Sequence, residues 1–223
     1  MNKVKFLRRH MLLGARIMAA LVGIAMTCLS ASIFYLVELG SDPYQVLCVA
    51  VHQRLNITYG AANTLANGTI IVLMLIFNRK YINLSLFLSL IVSGPLVNGF
   101  NALLEPLLSA SQLLWLRGTW AVAGCIILSA GVFLYTAPAL GASPADGLGM
   151  IVSDTLRKPY PMVRVGMDIF YTSLGFVLGG KVGVATLCAM LLTGPCIGLW
   201  RRLFGRVRPI AALAPKTQQA DTL

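Results

Sequence analysis

Long apolar stretches alternate along the chain with short polar breaks. Runs of about 20 apolar residues, the length that crosses the hydrocarbon core of a bilayer, fall at 12–37, 60–78, 83–104, 113–138, 161–180 and 184–203. Two segments between them, Pro43–Leu55 and Pro144–Leu156, are too short and too polar to span. They carry Gln45, His52, Gln53 and Arg54 in one case and Asp146, Ser153 and Asp154 in the other. Both nevertheless have the chemistry of a helix start. Asp42 and Ser143 are N-cap residues, and Pro43 and Pro144 stand at the first helical position, where a missing N–H costs nothing. Pro43, Leu47, Val51 and Leu55 form an i, i+4 stripe repeated as Pro144, Leu148, Val152 and Leu156, which predicts one apolar face on each. The pattern therefore predicts an all-α membrane protein of six transmembrane helices plus two half-helices. The half-helices either re-enter the membrane or lie along its surface.

The two proline-led segments belong to a duplication. Leu39-Gly40-Ser41-Asp42-Pro43 recurs as Leu140-Gly141-Ala142-Ser143-Pro144, an offset of 101 residues. At the same offset Arg16 meets Arg117, Gly23 meets Gly124 and Tyr59 meets Tyr160. After a one-residue gap, Gly94-Pro95 meets Gly194-Pro195. The chain then divides into a first repeat at 1–110 containing half-helix 43–55, a second at 111–208 containing half-helix 144–156, and a cytoplasmic tail at 209–223. Three spans per half invert the second copy relative to the first, an arrangement characteristic of secondary transporters.

Composition agrees with membrane residence. The 223 residues are 57% hydrophobic and 11% charged, against roughly 25% charged in soluble domains. The net charge of +11 raises the question of nucleic acid, but no basic face alternates with stacking aromatics. The cations gather instead at span ends. Lys3, Lys5, Arg8, Arg9, Arg16, Arg79, Lys80, Arg157, Lys158, Arg201, Arg202, Arg206, Arg208 and Lys216 fall on one side, and only Arg54, Arg117 and Lys181 on the other. By the positive-inside rule both termini are cytoplasmic. The first apolar run reaches Val37, beyond the roughly 7–15 residues of a signal-peptide core, so it reads as a retained span.

Polar residues at bilayer depth mark pathways or structural pairs. Arg164 and Asp168 stand i, i+4 in the fifth predicted span, where they can neutralise one another. Their repeat counterparts are Asn63 and Asn67. With Asp42 and Ser143 at the half-helix starts, these six residues form the predicted substrate site. The helix N-termini would suit an anionic group, and Asp168 would carry the proton if transport is proton-coupled. A helix-bridging polar cluster is the structural alternative. Arg16, Arg117, Gly94, Pro95, Gly194 and Pro195 are expected to act in gating or packing. Cys28, Cys48, Cys125, Cys188 and Cys196 sit in apolar segments as small hydrophobes. No Ser–His–acid set, metal-ligand cluster or paired carboxylates point to an enzyme, a metal or a cofactor.

The early arginine, the LGSDP and LGASP segments, the short helices and the Gly-Pro pairs resemble the bacterial YczE/YyaS/YitT family of inner-membrane proteins, from about Arg16 to Arg202. The resemblance implies a multi-pass protein of the bacterial inner membrane. The expected function is a secondary transporter that moves a small polar or anionic metabolite by alternating access. Its partners would be the lipid bilayer, an unidentified small molecule and, in a homo-oligomer, other copies of itself. The alternatives are a substrate-binding membrane subunit of a vitamin importer, and an accessory or regulatory membrane protein without substrate.

Overall fold

Pro43 and Pro144 each begin a helix of 13 residues, and each helix ends on a left-handed residue, Asn56 and Arg157, both at φ 52°. Those two stop residues are again 101 apart. A computed structural model describes residues 2–79, 82, 84–108, 113–137 and 143–204. Within them the chain forms α1 (Asn2–Val37), α2 (Pro43–Leu55), α3 (Tyr59–Phe77), α4 (Leu84–Leu108), α5 (Leu114–Thr136), α6 (Pro144–Leu156), α7 (Tyr160–Val177) and α8 (Val184–Phe204). Leu140, Gly141, Ala142 and the 209–223 tail lie outside the described residues.

Among the described residues five stretches are long and apolar enough to cross a membrane: Gly14–Val37, Tyr59–Phe77, Leu86–Leu108, Leu114–Thr136 and Val184–Phe204. The segment expected as the remaining span forms α7, a helix of 18 residues that carries Arg164 and Asp168 and is not among those five.

The apolar stripe expected on the half-helices is buried at its start and opens toward its end. Pro43 and Pro144 are buried, Leu47 and Leu148 are half-buried and pack against the core, Val51 and Val152 are half-buried, and Leu55 and Leu156 are exposed. Beside the stripe α2 buries Val46, Cys48, Val49 and Ala50, and α6 buries Asp146, Gly147, Gly149 and Ile151. Each short helix is packed by two longer ones, α2 by α3 and α7, and α6 by α3 and α7. Small residues are therefore required on the sides that meet those neighbours.

The centre of the molecule is the α1–α5 pair. A Cβ on Gly23 would come within 2.6 Å of the Tyr135 amide nitrogen and 2.9 Å of the Gly131 carbonyl oxygen. Further along, a Cβ on Gly124 would meet the Phe34 ring at 3.3 Å, and Ser30 Oγ donates to the Gly124 carbonyl at 2.8 Å. As α1 runs from Gly23 to Phe34, its partner on α5 runs backward from Tyr135 to Gly124, so the two helices are antiparallel.

These contacts exchange under the sequence offset. Adding 101 to Gly23 and subtracting it from Tyr135 gives Gly124 and Phe34. The same operation turns Gly23–Gly131 into Gly124–Ser30. It also turns the approach of Gly175 to Val46 into that of Met74 to Gly147. Element pairings follow the same rule: α1–α4 matches α5–α8, α2–α3 matches α6–α7, and α2–α7 matches α6–α3.

The halves differ at the Gly-Pro pairs. Gly60 and Gly94 bring α3 and α4 together, with the Gly60 N–H donating to Asn98 Oδ1 at 2.9 Å. Gly194 and Gly198 have no atom within 4 Å of where a Cβ would stand. Gly94 thus packs, whereas Gly194 does not. Pro95 and Pro195 are both exposed within their helices.

Glu38 gathers charge at one end of the molecule. Lys181 Nζ lies 2.9 Å from its Oε1 and Arg117 Nη2 3.7 Å from its Oε2. Behind it the Ala185 amide donates to the Leu39 carbonyl at 3.1 Å. Arg54 Nε donates to the Leu178 carbonyl at 3.0 Å, so all three cations expected on the outer side hold parts of the chain together. Glu38 is half exposed (54%), and exposed pairs contribute about 0–1 kcal/mol. Glu38→Gln is therefore expected to change unfolding free energy in detergent by less than about 1 kcal/mol. A larger loss would show that the cluster is a structural tie.

Candidate functional site

All six residues predicted as the substrate site line one cavity of about 120 Å³. Asp42 comes from the start of α2, Asn63 and Asn67 from α3, Ser143 from the start of α6, and Arg164 and Asp168 from α7. Both halves of the chain thus contribute polar walls. Ile24, Ala31, Val97, Leu128 and Val132 complete the enclosure with an apolar side.

The strongest contact is one the helical spacing does not suggest. Arg164 was expected to pair with Asp168 along α7, but its Nε lies 3.8 Å from Asp168 Oδ1. Its closest partner is Asp146 on α6, through Nη1 to Oδ1. Asp146 is surrounded by donors. Tyr135 OH donates to Oδ2 at 2.5 Å, Ser143 Oγ to Oδ2 at 2.9 Å, and Tyr160 OH to Oδ1 at 3.1 Å. Ser143 also caps α6 by accepting from the Asp146 amide at 3.2 Å. A buried carboxylate needs such compensation, since taking a charge out of water costs several kcal/mol.

The first half holds a neutral version of this arrangement. Tyr59 OH donates to Gln45 Oε1, and at the 101 offset these two residues become Tyr160 and Asp146. Tyr44 OH donates to Asn67 Oδ1 at 2.7 Å, Asn67 Nδ2 donates to Ser93 Oγ at 3.4 Å, and Cys48 Sγ lies 3.6 Å from Asn63 Oδ1. Gln45, Asn63 and Asn67 therefore occupy the places that Asp146, Arg164 and Asp168 hold in the second half. Asp146, Tyr135 and Tyr160 were absent from the expected site. The signal that finds Asp146 and Tyr160 is the repeat itself, applied to the Tyr59–Gln45 pair.

Asp42 behaves differently from its counterpart Ser143. It stands at the N-cap of α2 without a side-chain cap bond, and it has no ion pair with a described residue. The positive ends of both short helices already face carboxylates of the chain, Asp42 on α2 and Asp146 in the first turn of α6. A carboxylate beside each N-terminus offsets part of the attraction for an external anion expected there.

The residues assigned to gating or packing lie outside the cavity lining. Arg117 joins the Glu38 cluster, whereas Arg16 is half-buried with Nε lacking a hydrogen-bond partner. The five cysteines are free thiols; Cys28, Cys48 and Cys125 are buried, and Cys188 and Cys196 half-buried.

The chain matches the model of a family of unknown function, DUF6198, over residues 14–202. It is 24% identical over 156 residues to the uncharacterized membrane protein YczE of Bacillus subtilis, covering 70% of this chain and 71% of that protein. An uncharacterized protein of Haemophilus influenzae is 26% identical over 169 residues, 76% of this chain and 75% of its own. The uncharacterized protein YyaS of Bacillus subtilis is 20% identical over 186 residues, 83% and 89% of the two chains. No solved structure matches. Apolar helices and a family match over nearly the whole chain converge: this is a multi-pass membrane protein belonging to the DUF6198 family, and it is similar to YczE and YyaS.

Proposed function

We propose that the protein is a secondary transporter of the bacterial inner membrane, moving a small polar solute by alternating access. Six spans, α7 being the sixth, place both termini in the cytoplasm. The repeat is inverted, with halves at 1–110 and 111–208. The observation that carries this reading is the cavity formed jointly by matched residues of the two halves. Support for inversion comes from the antiparallel α1–α5 pair, whose close contacts exchange under the 101-residue offset. Transporters of this design hold substrate near the midplane at the repeat interface, beside the starts of discontinuous helices.

In such a mechanism the halves rock about α1 and α5, where glycines set a close and rigid crossing. The Glu38 cluster joins the first half to the second at one end, the outer one in this topology. Opening there requires Arg117 and Lys181 to release Glu38. Under this proposal the protein carries out no catalysis and holds no cofactor.

Purified protein in proteoliposomes is expected to give saturable uptake of at least one member of a panel of small polar solutes. Asp168→Asn should fold, judged by its elution from gel filtration and its unfolding temperature, while losing at least tenfold in uptake. No saturable flux across the panel, or undiminished flux in Asp168→Asn, would count against the proposal.

A further inference from the structure

The charged residues lining the cavity are three carboxylates, Asp42, Asp146 and Asp168, and one guanidinium, Arg164. With all four ionised the lining has two negative charges in excess. Asp146 has both oxygens occupied by four side-chain donors, and Arg164 is engaged with Asp146, Tyr160 and, at 3.8 Å, Asp168. Arg164 is therefore committed to the protein and is poorly placed to receive an anionic ligand. Asp42 has no ion pair with a described residue, and Asp168 has only the long contact to Arg164.

Two further side chains point to a ligand independently of the charges. Tyr171 and Thr193 line the same cavity, are 4% and 7% exposed, and their hydroxyls have no hydrogen-bond partner among the described residues. A buried hydroxyl without a partner costs about as much as a lost hydrogen bond, so such groups usually have a reason to be there. Tyr171 comes from α7 and Thr193 from α8, where it precedes Gly194, a residue with no atom within 4 Å of where its Cβ would stand.

The walls give the ligand its shape. Tyr44, Tyr135, Tyr160 and Tyr171 contribute aromatic rings, whose faces attract cations. The side formed by α1, α4 and α5 carries Ile24, Ala31, Val97, Leu128 and Val132, with Thr27, Ser89 and Ser93 between them. Among the described residues no group of three or more His, Cys, Asp or Glu could hold a metal ion. A solute with one ammonium head and a short apolar body satisfies both sides.

Resting on the transport reading above, we infer that the cavity binds a small organic cation, a primary amine in its ammonium form, with Asp42 as its principal counter-ion and Asp168 beside it. Asp146 and Arg164 form the fixed pair that shapes the site. The tyrosines shield the head, and the Tyr171 and Thr193 hydroxyls accept from its N–H groups.

A set of four-carbon probes that differ in head charge tests this. n-Butylammonium chloride, sodium butyrate and butyramide share a chain length and differ in head charge. Calorimetric titration of the protein in lipid nanodiscs, at matched ionic strength, should give saturable 1:1 binding of butylammonium at least tenfold tighter than of butyrate or butyramide. Asp42→Asn should weaken butylammonium at least tenfold while leaving the unfolding temperature unchanged or raised. Should Asp42→Asn fail to fold, Asp168→Asn is expected to show a weaker loss of the same sign, and the wild-type comparison decides alone. Butyrate binding as tightly as butylammonium, no binding by any of the three, or wild-type affinity in a folded Asp42→Asn protein would overturn the inference. Binding of butylammonium without flux would leave the inference standing and remove the transport reading. Flux of an anion with no ammonium binding would do the reverse.

Discussion

Asp146→Ala is expected to destabilise the folded protein by about 3–5 kcal/mol, the range for removing one partner of a buried ion pair. The reason lies in what remains. Arg164 would keep its charge beside Tyr160 with only Asp168 at 3.8 Å to balance it. The Tyr135 and Ser143 hydroxyls would lose their acceptor at the same time. Arg164→Ala is expected to cost a comparable amount, since it strands Asp146 in a cavity with two other carboxylates, Asp42 and Asp168. The double variant should cost clearly less than the sum, because each single change removes the same interaction. Asp168→Ala serves as the control, with an expected loss of no more than about 1 kcal/mol for its long and partly exposed contact. Denaturant unfolding in mixed micelles, followed by tryptophan fluorescence, measures all four. An Asp146→Ala loss below about 1 kcal/mol would show that water or a side-chain shift relieves Arg164, and that the pair is not a fixed part of the cavity.

The elements of the fold were legible because each was written locally. Proline after a capping residue starts α2 and α6, and the apolar runs set the length of the long helices. The offset of 101 residues carried further than single motifs, since it also relates the stop residues Asn56 and Arg157 and the contacts of Gly23 and Gly124. That six polar residues come together was legible too: Asn63, Asn67, Arg164, Asp168, Asp42 and Ser143 line one cavity. The expected Arg164–Asp168 pair is present at 3.8 Å, but the closer partner, Asp146, was not legible. Helical spacing favours Arg164 with Asp168 because i, i+4 neighbours share a face. The structure prefers Asp146 because α6 crosses α7 there, and a tertiary crossing leaves no mark in the spacing of one helix. The half-helix stripe was legible only in part. Leu47 and Leu148 pack on the core as an apolar face would, but Val46 and Gly147 are set by close contacts with α7 and α3 that the stripe does not mark.

A duplication makes two copies of a position without making their environments equal, and the glycine pair at the α1–α5 crossing puts that to a direct test. Gly23→Ala is expected to be the costlier change, at about 2–3 kcal/mol, within the range for overpacking a filled interior. Its new Cβ would stand 2.6 Å from the Tyr135 nitrogen and 2.9 Å from the Gly131 carbonyl oxygen, so a backbone must move. Gly124→Ala meets only side chains, the Phe34 ring at 3.3 Å and Ile33 Cγ2 at 3.5 Å. A shift of the ring by a few tenths of an ångström admits it, and the expected loss is below about 1 kcal/mol. If α1 and α5 are the rigid axis about which the halves rock, Gly23→Ala should also depress flux more than its stability loss accounts for, when both are compared at equal folded fraction. Equal costs for the two alanines would mean that the crossing is looser at Gly23 than these distances require. The axis would then have to be sought elsewhere, with the α2–α7 and α3–α6 contacts at Gly175 and Gly147 the next to try.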